Sequence, residues 1–360
     1  MDIYVLNREF ETVAVVDNYI SEIWTDRYWE PGDFEIQVPS SKENLDIFKE
    51  DYYLWMRESE HIMLIEEITL QSDAENGSTI LVAGRSIESV LDRRIVWKQT
   101  SLNGDLQNAV QRILNENVIS PSDSSRKISA LSFKASTDEK VTSLTIDTQY
   151  TGDTVLDIIQ DLCKQNDIGF KITMPSDGQW VFELYAGVNR TYDQTENPYI
   201  IFSPNFENLM NSNAYSSKKD YKTVALVGGE GEGSERKMTT VSVEGGSLSD
   251  LDRRELFVDA RDVSSSVDAG TLTDEQYYEK LSQRGKEKLS EYKVTNTFEG
   301  EAETSRSFQY GTDFKMGDIV QNENEYGQTF TSRITEYIWS ESESEQKQYP
   351  TFTVIEKEDS

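Results

Sequence analysis

Imidazole and thiol, the groups that serve most nucleophilic and zinc chemistry, are nearly absent here. The chain has one histidine, His61, and one cysteine, Cys163, in 360 residues. A Ser-His-Asp or Cys-His device must use one of them or do without. A zinc site would have at most one imidazole and one thiolate, with carboxylates completing it. His61 lies between the acidic pair Glu58 and Glu60 and the apolar run 62–65, and reads as a surface or strand-edge histidine. Cys163 falls on the apolar face of a helix expected over 153–166, where a thiol behaves as a small hydrophobe. Residues 228–233, Gly-Gly-Glu-Gly-Glu-Gly, have the glycine density of a phosphate cradle. No Lys-Ser/Thr follows, and glutamates stand where phosphate would sit, so the stretch reads as a mobile acidic loop.

Glu66-Glu67, Asp250 with Asp252 and Glu301 with Glu303 are carboxylate pairs of the kind a glycosidase uses. With 66 acidic residues such pairs arise by chance, so they point to no site. No segment has the Asp-x-Asp-x-Asp-Gly spacing of a calcium loop. Trp24, Trp29 and Trp55 read as core and subunit-interface anchors ahead of a sugar-stacking surface. No catalytic, cofactor-binding or metal-binding residue is assigned, and no cofactor is expected.

The charge balance narrows the partners. Thirty-five basic against 66 acidic residues give −31, which leaves no basic footprint for gripping a phosphate backbone. An acidic wall that DNA slides past is compatible with that charge. The longest apolar stretches are a few residues, far short of a membrane span. The first residues, Met-Asp-Ile-Tyr-Val, have neither the basic nor the apolar region of a signal peptide. A single cysteine fits a reducing compartment.

The elements that would position these residues are mostly strands. Runs at 3–6, 13–16, 20–24, 52–56, 62–70 and 79–83 are short and apolar-rich. Phe34, Ile36 and Val38 alternate with Glu35 and Gln37, the period of a half-buried strand. Pro31-Gly32-Asp33 starts that strand with a turn, and Asn76-Gly77 marks a hairpin. Short helical pieces are expected at 42–48 and 86–92. The next hundred residues are mixed: Leu106, Ala109, Val110, Ile113 and Leu114 have helical spacing, as do Val155, Leu156, Ile159 and Leu162. Strands 170–173 and 180–185 turn through Asp177-Gly178. Further on, strands are expected at 221–227, 238–243, 294–303, 318–321, 329–339 and 351–355, with a polar hairpin tip at 340–348. Thr273 and Gln276 have capping-box spacing ahead of the longest helix, which carries Tyr278, Leu281, Gly285 and Leu289 on one face. No sequence repeat of 20–50 residues is present, but two similar β-rich blocks flank the helices.

Two regions of the chain, one towards each end, carry a resemblance. Residues 23–28 (Ile-Trp-Thr-Asp-Arg-Tyr) and 31–39 (Pro-Gly-Asp-Phe-Glu-Ile-Gln-Val-Pro) resemble the opening of siphophage tail-hub proteins. Residues 62–66 and 84–94 (Gly-Arg-Ser-Ile-Glu-Ser-Val-Leu-Asp-Arg-Arg) continue it, and 316–320 with 332–336 resemble the family's later β domain. The family is that of baseplate hub proteins, whose longer relatives are tail-associated lysins or tail fibre/endopeptidase proteins. It is similar to the hub of contractile phages.

The resemblance implies a mainly β fold with α+β insertions. Two related β-barrel domains, a mixed α/β domain and a small helix-containing domain would assemble as a trimeric ring. The expected division is 1–98 for the first barrel and 99–205 for the mixed domain. Residues 206–240 with 295–360 would form the second barrel, and 241–294 the small inserted domain. The implied role is structural and non-enzymatic: a hub at the distal end of a siphophage tail that closes the tube and opens for DNA passage. Its partners would be its own copies, a distal tail protein, a tape measure protein, a receptor-binding or tail fibre protein, the host cell surface, and exiting DNA in passive contact. Its place would be the virion tail tip, after assembly in the bacterial host cytoplasm. Since the sequence stops at Ser360 just after the last expected strand, it reads as the hub alone or a hub trimmed from a longer chain. The rival readings are a tail-tip cell-wall hydrolase and a carbohydrate-binding adhesin.

Overall fold

The structure, a computed structural model, describes residues 1–73, 77–176, 178–243, 248–267, 270–302, 307–342 and 344–355. Asn76, Asp177, Glu303 and Glu343, on which four of the expected turns and pairs draw, lie outside the described residues.

The first block holds β1 (Ile3–Leu6), β2 (Thr12–Val16), β3 (Ser21–Arg27), β4 (Asp33–Pro39), α1 (Lys42–Ile47), β5 (Tyr53–Trp55), β6 (Met63–Asp73) and β7 (Gly77–Ser86). The alternation read from sequence is realised in β4, where Phe34, Ile36 and Val38 are buried and Glu35 is exposed. A 3-10 turn over Ile87–Arg93 leads into the mixed region. That region contains β8 (Thr100–Asp105), α2 (Leu106–Leu114), β9 (Leu131–Lys134), α3 (Glu139–Thr142), β10 (Thr145–Tyr150), α4 (Val155–Gln165), β11 (Gly169–Ser176) and β12 (Gln179–Tyr185). The helices start where side chains satisfy free amides: Asp105 accepts from the Asn108 amide (2.7 Å) and Thr154 from that of Asp157 (3.0 Å). Their apolar faces, with Val110, Ile113, Ile159, Leu162 and Cys163, build one core with Phe170 and Phe182.

Then come β13 (Ile201–Phe202), β14 (Leu209–Ser217), β15 (Val224–Gly228), β16 (Met238–Ser242), β17 (Glu255–Asp259), β18 (Ser266–Val267), β19 (Gly270–Thr271), α5 (Asp274–Ser290), β20 (Thr295–Ala302), β21 (Ile319–Glu323), β22 (Thr329–Ser342) and β23 (Gln346–Val354). The capping box is present at α5: the Gln276 amide donates to Thr273 and the Thr273 amide to the Gln276 side chain. One assignment differs from the expected division. β15 and β16, placed by sequence in the second β block, pair with each other and with β17 in a separate three-stranded sheet. The cause is α5, whose Tyr277, Leu281 and Leu289 need a sheet face to cover them and find Ala225, Val227 and Val241.

Among the described residues, both β blocks belong to one 13-stranded sheet. Its main path runs β14-β20-β23-β22-β3-β4-β7-β6-β5-β1-β2, with β21 on β22 and β13 on β21. The junction is the antiparallel ladder between β22 and β3, where Trp339 faces Trp24 and Ile338 faces Thr25. Trp24, Trp339, Phe34, Phe298 and Phe352 share a single apolar core that spans the two blocks. The closed barrels expected from sequence are not formed by hydrogen bonding among the described residues. β3 has β4 on one edge and β22 on the other, so β2 cannot close onto it.

The two blocks repeat one design. The first runs β3-β4-β7-β6-β5 and the second β14-β20-β23-β22-β21, all antiparallel and in the same chain order. Each long strand is bulged at the same place, between Ile65 and Glu67 in β6 and between Ile334 and Glu336 in β22. The correspondence stops at the sixth strand, because β1 is antiparallel to β5 while β13 is parallel to β21.

Candidate functional site

His61 is not at the surface. It is 5 % exposed, and its Nδ1 lies 2.9 Å from Oε1 of Glu88, itself 1 % exposed. The Glu88 carboxylate also accepts from the Ile172 amide (2.7 Å), so the pair ties the first block to β11 of the mixed region. Asp26, at the end of β3, accepts from Ser59 Oγ (2.8 and 2.9 Å) and from Trp24 Nε1 (3.1 Å). Ser59 Oγ in turn accepts from the His61 amide (3.0 Å). Burial works against a charged imidazole, but the fields of Glu88 and then Asp26 outweigh it and push His61 up to about 9. Burial raises Glu88 while the imidazolium and its hydrogen bonds lower it, and the lowering wins. Burial raises Asp26 against the opposing pull of His61, Ser59 and Trp24.

Serine, histidine and aspartate thus meet, but not as a catalytic triad. Ser59 gives its proton to Asp26 and presents no hydroxyl to the imidazole. All four groups are below 9 % exposed, so no substrate reaches them. The cluster is an interior clamp between the first block and the mixed region.

The other candidates resolve the same way. Cys163 is wholly buried, and burial pushes its thiol up, away from the thiolate a nucleophile needs. The loop from 228 is a folded turn. Arg236 donates to the carbonyls of Gly228 (2.8 Å) and Gly229 (3.1 Å), and the Glu230 amide donates to the Tyr277 hydroxyl (2.7 Å). A Cβ on Gly229 would lie 2.4 Å from that hydroxyl, which is why glycine stands there. The Gly229 and Glu230 amides, which a phosphate cradle would use, are engaged by the Lys237 carbonyl (2.9 Å) and the Tyr277 hydroxyl. Of the carboxylate pairs, Glu66 is held by Arg85 (2.8 and 2.9 Å), and Asp250 with Asp252 lie exposed on a 3-10 turn. Among the described residues no group of three or more His, Cys, Asp or Glu side chains is arranged to hold a metal. Trp24 and Trp339 are core residues, and Trp97, 60 % exposed, lies under the Arg126 guanidinium at 4.2 Å.

What remains is a surface: the sheet face opposite the shared core. There the cations are neutralised in place. Arg27 reaches Asp33 (2.9 Å) and Glu336 (2.7 Å), the second across the β22–β3 junction, and these carboxylates hold the guanidinium above its ordinary range against the opposing effect of burial. Arg85 is bound by Glu66 and faces Asp92 at 3.7 Å. Arg27, Asp33, Arg85 and Asp92 line a cleft of about 320 Å³ with Asp157 and Gln160 of α4. A guanidinium already paired twice offers little to a passing phosphate. The positions missing from the sequence reading are Asp26 and Glu88. Each is the single carboxylate of its stretch, 23–29 and 84–91, and only the fold shows that both lie beside His61.

The family model for the Siphovirus ReqiPepy6 Gp37-like protein matches residues 2–352. No curated protein matches the chain. Among solved structures, the 43 kDa tail protein of prophage MuSo2 from Shewanella oneidensis is 13 % identical, with a TM-score of 0.59 over 99 % of this chain and 98 % of that one. The prophage tail protein gp18 of Listeria monocytogenes EGD-e is 13 % identical, with a TM-score of 0.55 over 100 % and 96 %. The tail protein of Neisseria meningitidis MC58 is 10 % identical, with a TM-score of 0.56 over 99 % and 96 %. The resemblance read from the sequence therefore holds: the mainly β architecture is the fold of these prophage tail proteins, and the chain belongs to the Siphovirus ReqiPepy6 Gp37-like family.

Proposed function

We propose that this chain is the hub at the distal end of a siphophage tail, a homotrimeric ring that closes the tube and opens to release DNA. The observation that carries the reading is the duplicated block. Two repeats of one strand order, joined edge to edge through β22 and β3, let three chains present six similar units around an axis. A sixfold tube could then seat on a threefold tip. The blocks would form the ring wall. The mixed region and the small domain built on α5 would decorate it. Lys280, Arg284 and Glu287 of α5 would hold the small domain to β10, through Asp147 (3.1 Å), the Gln149 carbonyl (2.9 Å) and Thr148 (3.4 Å).

The role is structural and non-enzymatic. The sole histidine and the sole cysteine are both consumed in the interior. A net charge of −31 with paired arginines on the sheet face suits a wall past which DNA slides without sticking. The partners would be a distal tail protein above, a tape measure protein within, and a receptor-binding or fibre protein below, at a tail tip assembled in the host cytoplasm. Light scattering on a sizing column tests it. Three copies of 41.2 kDa, with a central hole in negative stain, are expected. A single-chain mass at every concentration would refute it.

A further inference from the structure

We propose that residues 67–72 of β6 in one copy pair, antiparallel, with residues 212–217 of β14 in the next copy. The proposal rests on the ring reading above and names the strands that join one copy to another.

The argument comes from the internal repeat. In the second block the β22 edge opposite β23 serves two neighbours. Before its bulge it pairs with β21 (Ile319 opposite Arg333, Glu323 opposite Thr329), and beyond it residues 336–342 leave β21 and pair with β3. In the first block β6 does the first half only. Before its bulge it pairs with β5, and beyond it, among the described residues, it has β7 on one side and no strand on the other. The strand equivalent to β3 is β14, whose only partner strand among the described residues is β20. Each copy thus carries one half of a β22–β3 junction at either end of an eight-strand run, β14-β20-β23-β22-β3-β4-β7-β6.

The register follows from the ladders. Ile65 faces Gly84, which faces Phe34, which faces Trp24. Ile334 faces Phe352, which faces Phe298, which faces Ala214. Glu67 therefore corresponds to Glu336, Leu70 to Trp339, and Ala214 to Trp24. Since Trp339 faces Trp24 and Ile338 faces Thr25 inside the chain, Leu70 meets Ala214 and Thr69 meets Tyr215 between copies. Gln71 then meets Asn213, and Glu67 meets Ser217, so no like charges oppose each other.

The side chains suit a covered edge. Leu70 is 61 % exposed, Met210 66 % and Tyr215 52 %. β14 reads Leu-Met-Asn-Ser-Asn-Ala-Tyr-Ser-Ser, with no charge in a chain of −31 and neither lysine nor proline to blunt it. A long, uncharged, exposed edge strand is the surface that recruits another strand. Donor and acceptor edges differ, so the contact is head-to-tail and propagates until a ring closes.

Cysteine pairing tests it on the full chain, because Cys163 is wholly buried and silent. Thr69→Cys with Tyr215→Cys is expected to give covalent oligomers under mild oxidation. Val15→Cys with Tyr215→Cys, which offers the β2 edge instead, is expected to give none. Leu70→Lys and Ala214→Lys, both at exposed positions, are each expected to weaken assembly at least tenfold with an unchanged circular dichroism spectrum. A trimer that ignores both lysines and cross-links only through Val15 would overturn the pairing while sparing the ring. A single-chain mass for the unaltered protein would overturn both.

Discussion

His61→Leu should be among the most damaging single substitutions in this chain, although it touches no surface. It removes the cation opposite Glu88 and leaves a carboxylate 1 % exposed with no counter-charge. Breaking one partner of a buried pair costs about 3–5 kcal/mol. The raised imidazole expresses the same attraction: ordinarily at 6.5 and held at about 9, it prefers its charged form in the fold by about 3 kcal/mol. Because His61 is raised, its contribution is complete below pH 6.5 and lost as pH climbs through about 9. Glu88 is lowered, so its contribution is present above its ordinary 4.5 and lost as pH falls below that. The stability maximum of the clamp lies between. Replacing both partners, His61→Leu with Glu88→Leu, should recover most of the loss. A remainder of about 1–3 kcal/mol should persist, because the Ile172 amide loses its acceptor. Thermal unfolding followed by tryptophan fluorescence at pH 6.5 and pH 9.5 reads this, at roughly 2–4 °C per kcal/mol for a body of 150–250 residues. A single variant as stable as the double one would refute the reasoning, as would a wild-type profile flat between those pH values.

Glu22 is wholly buried, has no hydrogen-bond partner for its carboxylate and is pushed up to about 7, chiefly by burial. Its folded form keeps a proton, so stability falls as pH rises from 4.5 through about 7, and Glu22→Gln should gain about 3 kcal/mol at pH 8 and nothing at pH 4. Gly285→Ala would set a Cβ 2.6 Å from methyls of both Val227 and Val241, and should cost about 1–3 kcal/mol. Hydrogen exchange should show that loss in β15 and β16 and not in β3 or β4. Tyr277→Phe removes the acceptor of the Glu230 amide (2.7 Å) and the donor to the Val263 carbonyl (3.1 Å), and should cost about 1–3 kcal/mol with the same local signature.

Local signals were legible, and long-range ones were not. The alternation in β4 and the capping box of α5 are written within a few residues, and the structure has both. β14 has no alternation to read, because only Leu209 in it is buried. The glutamates flanking His61 suggest exposure, while its true partner stands 27 residues away, beyond the two strands β6 and β7. The glycine loop looked mobile because its order comes from Arg236 and from a tyrosine 47 residues on. The repeat is hidden in sequence for a physical reason. Ladder position dictates only that a residue fit its neighbours, so Phe34-Glu35 matches Phe298-Glu299 while Trp24 corresponds to Ala214.

That last difference separates the two kinds of junction. The β22–β3 contact forms within one chain, at high effective concentration, so large groups can meet there. Trp24 faces Trp339, and Glu22 faces Glu341, which is held by the N-terminal ammonium (2.7 Å) and the Tyr19 hydroxyl (2.7 Å). The corresponding edges between copies must stay in water until a second chain arrives. A tryptophan at the Leu70 or Ala214 position would make each free chain adhesive along the whole edge. Leucine facing alanine, with amide and hydroxyl side chains around them, buries less and leaves more of the contact to backbone hydrogen bonds. The intermolecular junction should therefore be the weaker of the two, and dilution or mild denaturant should part copies from one another before β22 leaves β3.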